Sequence, residues 1–262
     1  MDYKFNVGDA VYWKHDIKRI GYVVERNQKY RILRSYKNRF FNTHDIGVFE
    51  MRESGLIEVL QPSELFVDEA TLSNPGSVVA PVCEGDRAFL VEVQALVVSS
   101  GYGMPKRNMV GVNPHRAHLI IAMLEQLCGL KLSSNDIFLT IIGGLKVDEP
   151  ALDLAIVAAI MSSYFDKPIG QKIGVFGEVG LSGEVRSIPN VSKRLLELKK
   201  LGFSGCLLPE KSITPSKKSE IKQQAVNHVR SLFEFFGLGS HNNPTEGRRE
   251  SLGRYSRPKT FG

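Results

Sequence analysis

Acidic side chains cluster where a helix is predicted to begin. Asp148, Glu149 and Asp153 lie together in the segment DEPALD. Paired carboxylates can act as general acid and general base, but carboxylates at a helix N-terminus are also stabilised by the helix dipole. The dipole and capping interpretation needs no further residues, so we prefer it to a catalytic pair.

Metal ligation is the second chemistry that the residue types allow. His115 and His118 are three residues apart, which places both on one side of a helix, but no neighbouring carboxylate or Cys completes a ligand set. The three cysteines, Cys83, Cys128 and Cys206, stand far apart and form no CxxC pair. The sequence therefore predicts no metal site, and we expect the cysteines to be small buried side chains.

Phosphate binding would need a glycine-rich loop between a strand and a helix. The string GxxxxGK[ST], whose backbone N–H groups and Lys hold nucleotide phosphates, does not occur. Gly177, Gly180 and Gly183 lie in GEVGLSGE, which is typical of a tight connection between strands. We therefore predict no cofactor, and we do not expect this chain to hydrolyse ATP by itself.

The elements that must position these residues follow two patterns. Residues 3–36 predict short strands, a second β-rich stretch follows over 47–60, and Asn74-Pro75-Gly76 is typical of a domain boundary. From residue 77, long strands mix with helices predicted over 114–128 (closed by Gly129), 148–165, 190–202 and 220–237. We expect an α/β fold of mixed α+β type, with a β-rich segment 1–76, a main domain 77–236 and a disordered basic tail 237–262.

The charge is distributed unevenly along the chain. The net charge is +6, and basic segments at both ends flank an acidic connector over residues 45–76. Basic segments attract phosphate without regard to base sequence, so nucleic acid is an expected partner. No apolar run is long enough for a membrane span, and the first residues lack the apolar core of a signal peptide. We expect a cytoplasmic protein without a membrane partner.

Longer motifs are shared with a known protein family. Residues 30–98 contain YRILRSYKNRF, IGVFEM, PSELF, GSVVAPVCEG and LVEVQALV. The later residues contain PKRNMVGVNPHR, LEQLCGL, IIGGLKVDEPALDLAIVAAI and VFGEVGLSGEVRSIPNVSKRLLELKKLGF. In this order and spacing, residues 28–210 resemble the bacterial RadA (Sms) DNA-repair proteins. In that family a RecA-like ATPase ends in a KNRFG motif and leads into a Lon-protease-like domain.

The resemblance implies a fold and allows a test for proteolysis. It implies the Lon proteolytic-domain fold, related to domain 2 of ribosomal protein S5, for residues 77–236. Active Lon-type proteases use a Ser–Lys dyad, in which a neutral Lys takes the proton of the Ser hydroxyl. The matching residues here are Ala151 and Ser192. An alanine methyl cannot attack a carbonyl, so the resemblance predicts a domain without a catalytic residue. The family's zinc module has no counterpart in the sequence. The Walker segments, which bind ATP in the family, have no counterpart either.

The resemblance also implies partners and binding residues. The family assembles hexameric rings and contacts DNA, and its KNRFG segment lies near a subunit interface. The matching residues are Lys37, Asn38, Arg39, Phe40 and Phe41. Phe41 stands where the family has Gly, and a positive φ at that position would disfavour Phe. The expected DNA-binding side chains are Lys106, Arg107, Arg116, Lys193 and Arg194.

Three functional hypotheses remain open from the sequence. The first is a DNA repair and recombination protein whose non-proteolytic Lon-like domain is an oligomerisation scaffold and a DNA-binding platform. The second is a catalytically inert remnant that modulates a full-length RadA-type ATPase by joining mixed rings. The third is a Ser–Lys peptidase, which Ala151 opposes.

Overall fold

The fold is described from a computed structural model that covers most of residues 10–238. The described residues are 10–13, 16–26, 30–37, 46–52, 55–59, 62–67, 70–85, 87–101, 104–170, 172–213 and 221–238. The predicted tail, from residue 239 onward, lies outside the described residues, as do residues 38–41 of the KNRFG-like motif.

The first part of the chain forms an antiparallel sheet whose five strands follow one another in chain order. The strands are β1 (Ala10–Trp13), β2 (Asp16–Arg26), β3 (Tyr30–Lys37), β4 (Ile46–Arg52) and β5 (Gly55–Glu58). Bulges interrupt the pairing of β2 with β3 after Ile20 and Val23. The β-rich character predicted for this segment is confirmed.

The connection to the rest of the chain packs into the interior. A short helix, α1 (Ser63–Phe66), and a 3-10 turn, Thr71–Ser73, precede the next strand. Phe66 and Leu72 are buried, and Val48 of β4 belongs to the same core cluster as Phe66. The acidic connector therefore contributes apolar side chains to the core, while the predicted domain boundary at residue 76 stays a prediction.

The central sheet has seven strands in the order β14-β13-β10-β6-β7-β9-β8. These strands are β6 (Ser77–Glu84), β7 (Arg87–Ser99), β8 (Arg107–Val110), β9 (Asn135–Ile141), β10 (Ile173–Val175), β13 (Gly205–Pro209) and β14 (Lys222–Val226). β6 and β9 are antiparallel to β7, whereas the other neighbours are parallel. β11 (Glu178–Val179) and β12 (Val185–Arg186) form a separate hairpin. The mixed sheet confirms the predicted α/β class.

Four helices follow the sequence signals to different degrees. α2 (Pro114–Cys128) begins with the Asn113 side chain accepting two backbone N–H groups and ends at the left-handed Gly129, as predicted. α3 (Asp153–Tyr164) is preceded by a 3-10 turn, Pro150–Leu152, and is buried from Asp153 to Ser162. α4 (Val191–Lys200) lies near the predicted bounds. α5 (Ser231–Phe235) is much shorter than the predicted helix.

The helix predicted over 220–237 is wrong. Residues Lys222–Val226 pair in parallel with Gly205–Pro209 of β13, and only Ser231–Phe235 is helical. Buried apolar residues at Val226, Val229, Leu232 and Phe236 imitate a helical period. The backbone groups along β13 are instead satisfied by a neighbouring strand, which the local pattern does not reveal.

Among the described helices, none combines the length and the apolar composition that crossing a membrane requires.

Candidate functional site

The position that matches the Lon nucleophile lies at the entrance to α3. Ala151 is 2% exposed and packs in a core cluster with Phe176 and Leu195. Its carbonyl accepts the N–H of Gly177 at 2.8 Å, and the carbonyl of Gly177 accepts the N–H of Leu154 at 3.0 Å. These two hydrogen bonds fix the start of α3, but the side chain there is a buried methyl group.

Ser192, which matches the dyad lysine, is exposed in the first turn of α4. A hydroxyl group has no basic nitrogen with which to take a proton from a nucleophile. Neither position therefore carries a group suited to acyl transfer.

A buried ion pair joins α4 to the segment before α3. The Arg194 side chain is completely buried, and its Nη2 donates to Oε1 of Glu149. Its Nη1 donates to the carbonyl of Pro81 at 2.6 Å and to Oε2 of Glu149 at 3.2 Å, and its Nε donates to the carbonyl of Pro189 at 3.2 Å. Glu149 also accepts the N–H of Cys83 at 2.8 Å. The prediction that Arg194 contacts DNA is corrected here, because a completely buried guanidinium whose three nitrogens all donate to protein acceptors cannot reach a phosphate.

A second arginine binds the acidic cluster from the other side. Arg116 on α2 donates through Nε and Nη2 to the two carboxylate oxygens of Asp153, which is 1% exposed. Asp153 also accepts the N–H of Val179 at 3.0 Å. Burial raises the pKa of the Asp153 carboxyl, while the hydrogen bond from Arg116 opposes that shift. The same hydrogen bond raises the pKa of Arg116.

The acidic cluster is thus held by arginines from two helices. Asp148 accepts a hydrogen bond from the Asn113 amide at 3.1 Å, Asp153 binds Arg116 and Glu149 binds Arg194. The capping interpretation missed these pairs, whose members are 37 and 45 residues apart in the chain. No local pattern signals such partners.

The remaining basic candidates lie in separate places. Lys106 is exposed just before β8, and Lys193 is half-buried on α4. Arg107 donates to the carbonyls of Leu132, at 2.7 Å, and Asn135, which ties β8 to the turn before β9. Lys37 ends β3 opposite Ile20. The structure therefore does not gather the predicted DNA-binding residues into one patch.

In the part of the chain that the structure describes, side chains on one face of β7, β8 and β9 are exposed. We call this the open sheet face. Two rows of side chains cross β8, β9 and β7 in register on the same side, and these are Asn108–Phe138–Leu96 and Val110–Thr140–Gln94. A third row, Asp136–Val98, continues on β9 and β7. A depression of about 440 Å³ lies over the rows of Phe138 and Thr140 and is bordered by the turn Asn74–Ser77.

Exposed apolar side chains distinguish the open sheet face from a solvated strand surface. Leu96 is 53% exposed, Val110 is 50% exposed and Val98 is 39% exposed. The alternation of residue types in these strands was the available signal, since residues on one face of a strand recur every second position.

Among the described residues, no group of His, Cys, Asp and Glu is arranged to hold a metal ion.

Comparison with known proteins identifies a family model and several relatives that match this sequence. A family model described as subunit ChlI of Mg-chelatase matches residues 98–212. The protein named DNA repair protein RadA from Bacillus subtilis (strain 168) is 46% identical over 185 residues, covering 71% of this chain and 40% of the relative. The protein of the same name from Streptococcus pneumoniae is 46% identical over 190 residues, covering 72% and 45%. Over these residues the chain is homologous to part of each of these RadA proteins.

The RadA resemblance expected from the motifs is confirmed. A third relative, DNA repair protein RadA from Listeria monocytogenes, is 45% identical over 186 residues, covering 71% of this chain and 41% of the relative. The chain spans less than half the length of these curated RadA relatives.

Proposed function

We propose that the chain acts in DNA repair and recombination as the non-proteolytic, DNA-binding and ring-forming part of a RadA-type protein in the cytoplasm. The observation that carries this proposal is the 46% identity to proteins named DNA repair protein RadA over 185 residues. We further propose that the main domain has the Lon-like fold, assembles into hexamers and acts in recombination. ATP binding would belong to another segment or chain, because the sequence lacks the P-loop string.

The chemistry around Ala151 supports a role other than peptide cleavage. The side chain in the nucleophile position is a buried methyl group, and Ser192 cannot replace the dyad lysine as a base. The buried pair of Glu149 and Arg194 fixes the neighbouring backbone instead. This arrangement favours a rigid scaffold over an acyl-transfer site.

Binding to DNA is proposed to rest on dispersed basic side chains. Lys106 is exposed and Lys193 is half-buried, whereas Arg107 and Arg116 are hydrogen-bonded within the protein. Such side chains neutralise phosphates and carry no base-sequence information. We therefore expect an affinity that falls with added salt and differs little between DNA sequences.

Fluorescence anisotropy with labelled single-stranded and double-stranded oligonucleotides tests this proposal. We expect binding that weakens as salt is added. Combining Lys106→Ala with Lys193→Ala should make the plot of log affinity against log salt concentration less steep, by about one unit of slope for each phosphate that is no longer neutralised. The matched control combines Lys211→Ala with Lys222→Ala, two exposed lysines outside the predicted set. Absence of salt-sensitive binding by the unmodified chain would refute the DNA-binding proposal.

A second candidate function is modulation of a complete RadA-type ATPase by mixed assembly. The absence of GxxxxGK[ST] from the sequence and the presence of Phe41 at the family's Gly position favour it. Light scattering on the chain alone, and on the chain mixed with a complete RadA, distinguishes assembly of the chain with itself from mixed assembly with the ATPase. A monomer that never joins the partner would exclude both ring formation and modulation. A third candidate, the Ser–Lys peptidase, predicts cleavage of unfolded casein, and Ala151 opposes it.

A further inference from the structure

β8 is an outer strand of the central sheet, and part of its backbone points away from β9. The N–H of Ile137 on β9 donates to the carbonyl of Lys106 at 2.9 Å. Backbone groups alternate in direction along a strand, so Asn108 also faces β9, whereas Arg107 and Met109 face outward. In the part of the chain that the structure describes, β9 is the only strand paired with β8. The outer edge of β8 can therefore accept another extended segment.

The two faces of β8 differ in what covers them. On one face, Met109 packs against the core and Arg107 donates to carbonyls of the turn before β9. On the other face, Asn108 and Val110 belong to the open sheet face, and Val110 is 50% exposed. An extended segment paired with β8 would place every second side chain on that face. An apolar side chain there can cover Val110 and reach the depression of about 440 Å³ over Phe138.

Positive charge is in excess at the beginning of β8. Lys106 and Lys131 are exposed, and among the residues that the structure describes neither forms an ion pair. Arg107 donates to carbonyl oxygens, so no carboxylate neutralises its charge. The carboxylates of Asp136 and Glu125 each accept a backbone N–H in this region. Three cations and two carboxylates favour a segment that carries acidic side chains.

We propose that the outer edge of β8 is a docking site for an extended, acidic peptide segment of a partner protein, which adds a further strand to the central sheet. The main chain of the segment would bond the outward groups of Arg107 and Met109, and one of its acidic side chains would lie beside Lys106. A helix bonds its backbone groups internally and has none to offer this edge, so an extended segment is favoured. The inference goes beyond the proposed function, because it requires neither DNA nor ring formation.

Fluorescence anisotropy tests the docking site with the whole chain and a labelled, end-blocked heptapeptide, Asp-Val-Thr-Leu-Thr-Val-Glu. Acidic residues stand at both ends of the peptide, so either direction of pairing brings one of them beside Lys106. We expect saturable binding that weakens with added salt. The same peptide with Lys at both ends should bind more weakly by about fivefold or more, because like charges repel.

Backbone methylation of the peptide tests the pairing without altering the protein. Alternate N–H groups of an extended peptide point to the same side, so only one alternate set can face β8. Methylating that set should weaken binding by about tenfold, as expected for the loss of one or two hydrogen bonds. Methylating the other set should leave the affinity within about twofold. Equal effects of the two sets would overturn the inference.

Two variants of the chain test the same edge from the other side. Met109→Pro removes an outward N–H, which an edge strand tolerates, and should weaken binding by about threefold to tenfold. Lys106→Glu should weaken binding by about twofold to fivefold and reduce its salt dependence. Lys222→Glu is the matched control, because Lys222 is exposed on β14 at the opposite edge of the sheet. Far-UV circular dichroism and light scattering establish the fold and mass of each variant.

The remaining outcomes separate this inference from other occupants and from the proposed function. A lower molecular mass of Met109→Pro would show that a second copy covers the edge, and would overturn the inference. Weaker oligonucleotide binding by Met109→Pro, by the same factor as for the peptide, would show a nucleic acid there and overturn it as well. Salt-sensitive DNA binding by an unmodified chain that does not bind the peptide overturns the inference and preserves the proposed function.

Discussion

The ion pair between Glu149 and Arg194 predicts a specific order of stabilities among three variants. Arg194 has no exposed side-chain surface, whereas Glu149 is 19% exposed. Glu149→Ala leaves a buried guanidinium without its counter-ion. Arg194→Met leaves a carboxylate that reaches solvent and keeps the N–H of Cys83 as a donor. The first variant should therefore be less stable than the second.

Magnitudes follow from the groups left without partners. Removing one member of a buried ion pair costs about 3–5 kcal/mol, which we expect as the loss in free energy of unfolding for Glu149→Ala. Arg194→Met leaves the carbonyls of Pro81 and Pro189 without their donors, for which about 1–3 kcal/mol is typical. Replacing a whole buried pair by apolar groups is often neutral. Adding Arg194→Met to Glu149→Ala should therefore restore part of the lost stability.

Denaturant unfolding of the whole chain, followed by far-UV circular dichroism, measures all three variants and the unmodified protein as a double-mutant cycle. The control is Arg186→Met, which breaks an ion pair with Glu184 whose members are 61% and 37% exposed. Exposed pairs contribute little, so this control should unfold like the unmodified protein. A double variant less stable than Glu149→Ala would refute the reasoning, because it would show that Arg194 stabilises the fold without its carboxylate.

Three further predictions concern pH, backbone conformation and the second arginine. Burial raises the pKa of the Cys128 thiol to about 11 and of Cys206 to about 12, above the ordinary 9.0. The buried protonated thiols therefore contribute their full stability below about pH 9, and this contribution is lost as the pH rises through about 11–12. Cys206→Ala should then make the denaturation midpoint fall less steeply at alkaline pH. Gly76→Ala should cost more than about 1 kcal/mol in unfolding free energy, because Gly76 has a φ of +85° and an added methyl would lie 2.2 Å from a backbone oxygen of β7. Asp153→Asn removes the counter-ion of Arg116 and should cost about 1.5–3 kcal/mol, and equal midpoints for the variant and the unmodified protein in urea would contradict this.

Local signals were sufficient where an element is specified by its own residues. Pro114 predicts the start of α2 and Gly129 predicts its end, because Pro suits the first helical position and Gly suits the left-handed conformation after the last turn. The mixed α/β class could likewise be predicted from the order of strand and helix patterns. Spacing alone failed for β14, where apolar residues three and four positions apart imitate a helix.

Distant pairing accounts for what the sequence did not reveal about the site. The helix dipole offers a local explanation for Asp153 and Glu149, although each binds an arginine from another helix. Arg194 was predicted to contact DNA because its type is basic, yet its environment is a buried pair. Exposure depends on the tertiary fold, and residue type alone could not separate an arginine that meets solvent from one that supports the core.

The short helix α1 is held against the central sheet and α4 by its own side chains. The Ser63 hydroxyl donates to Glu197 on α4 and accepts the N–H of Leu90 on β7. Phe66 fills the space where a side chain on Gly143 would lie. Moving α1 away from the central sheet would therefore require breaking both hydrogen bonds of Ser63 and separating Phe66 from Gly143.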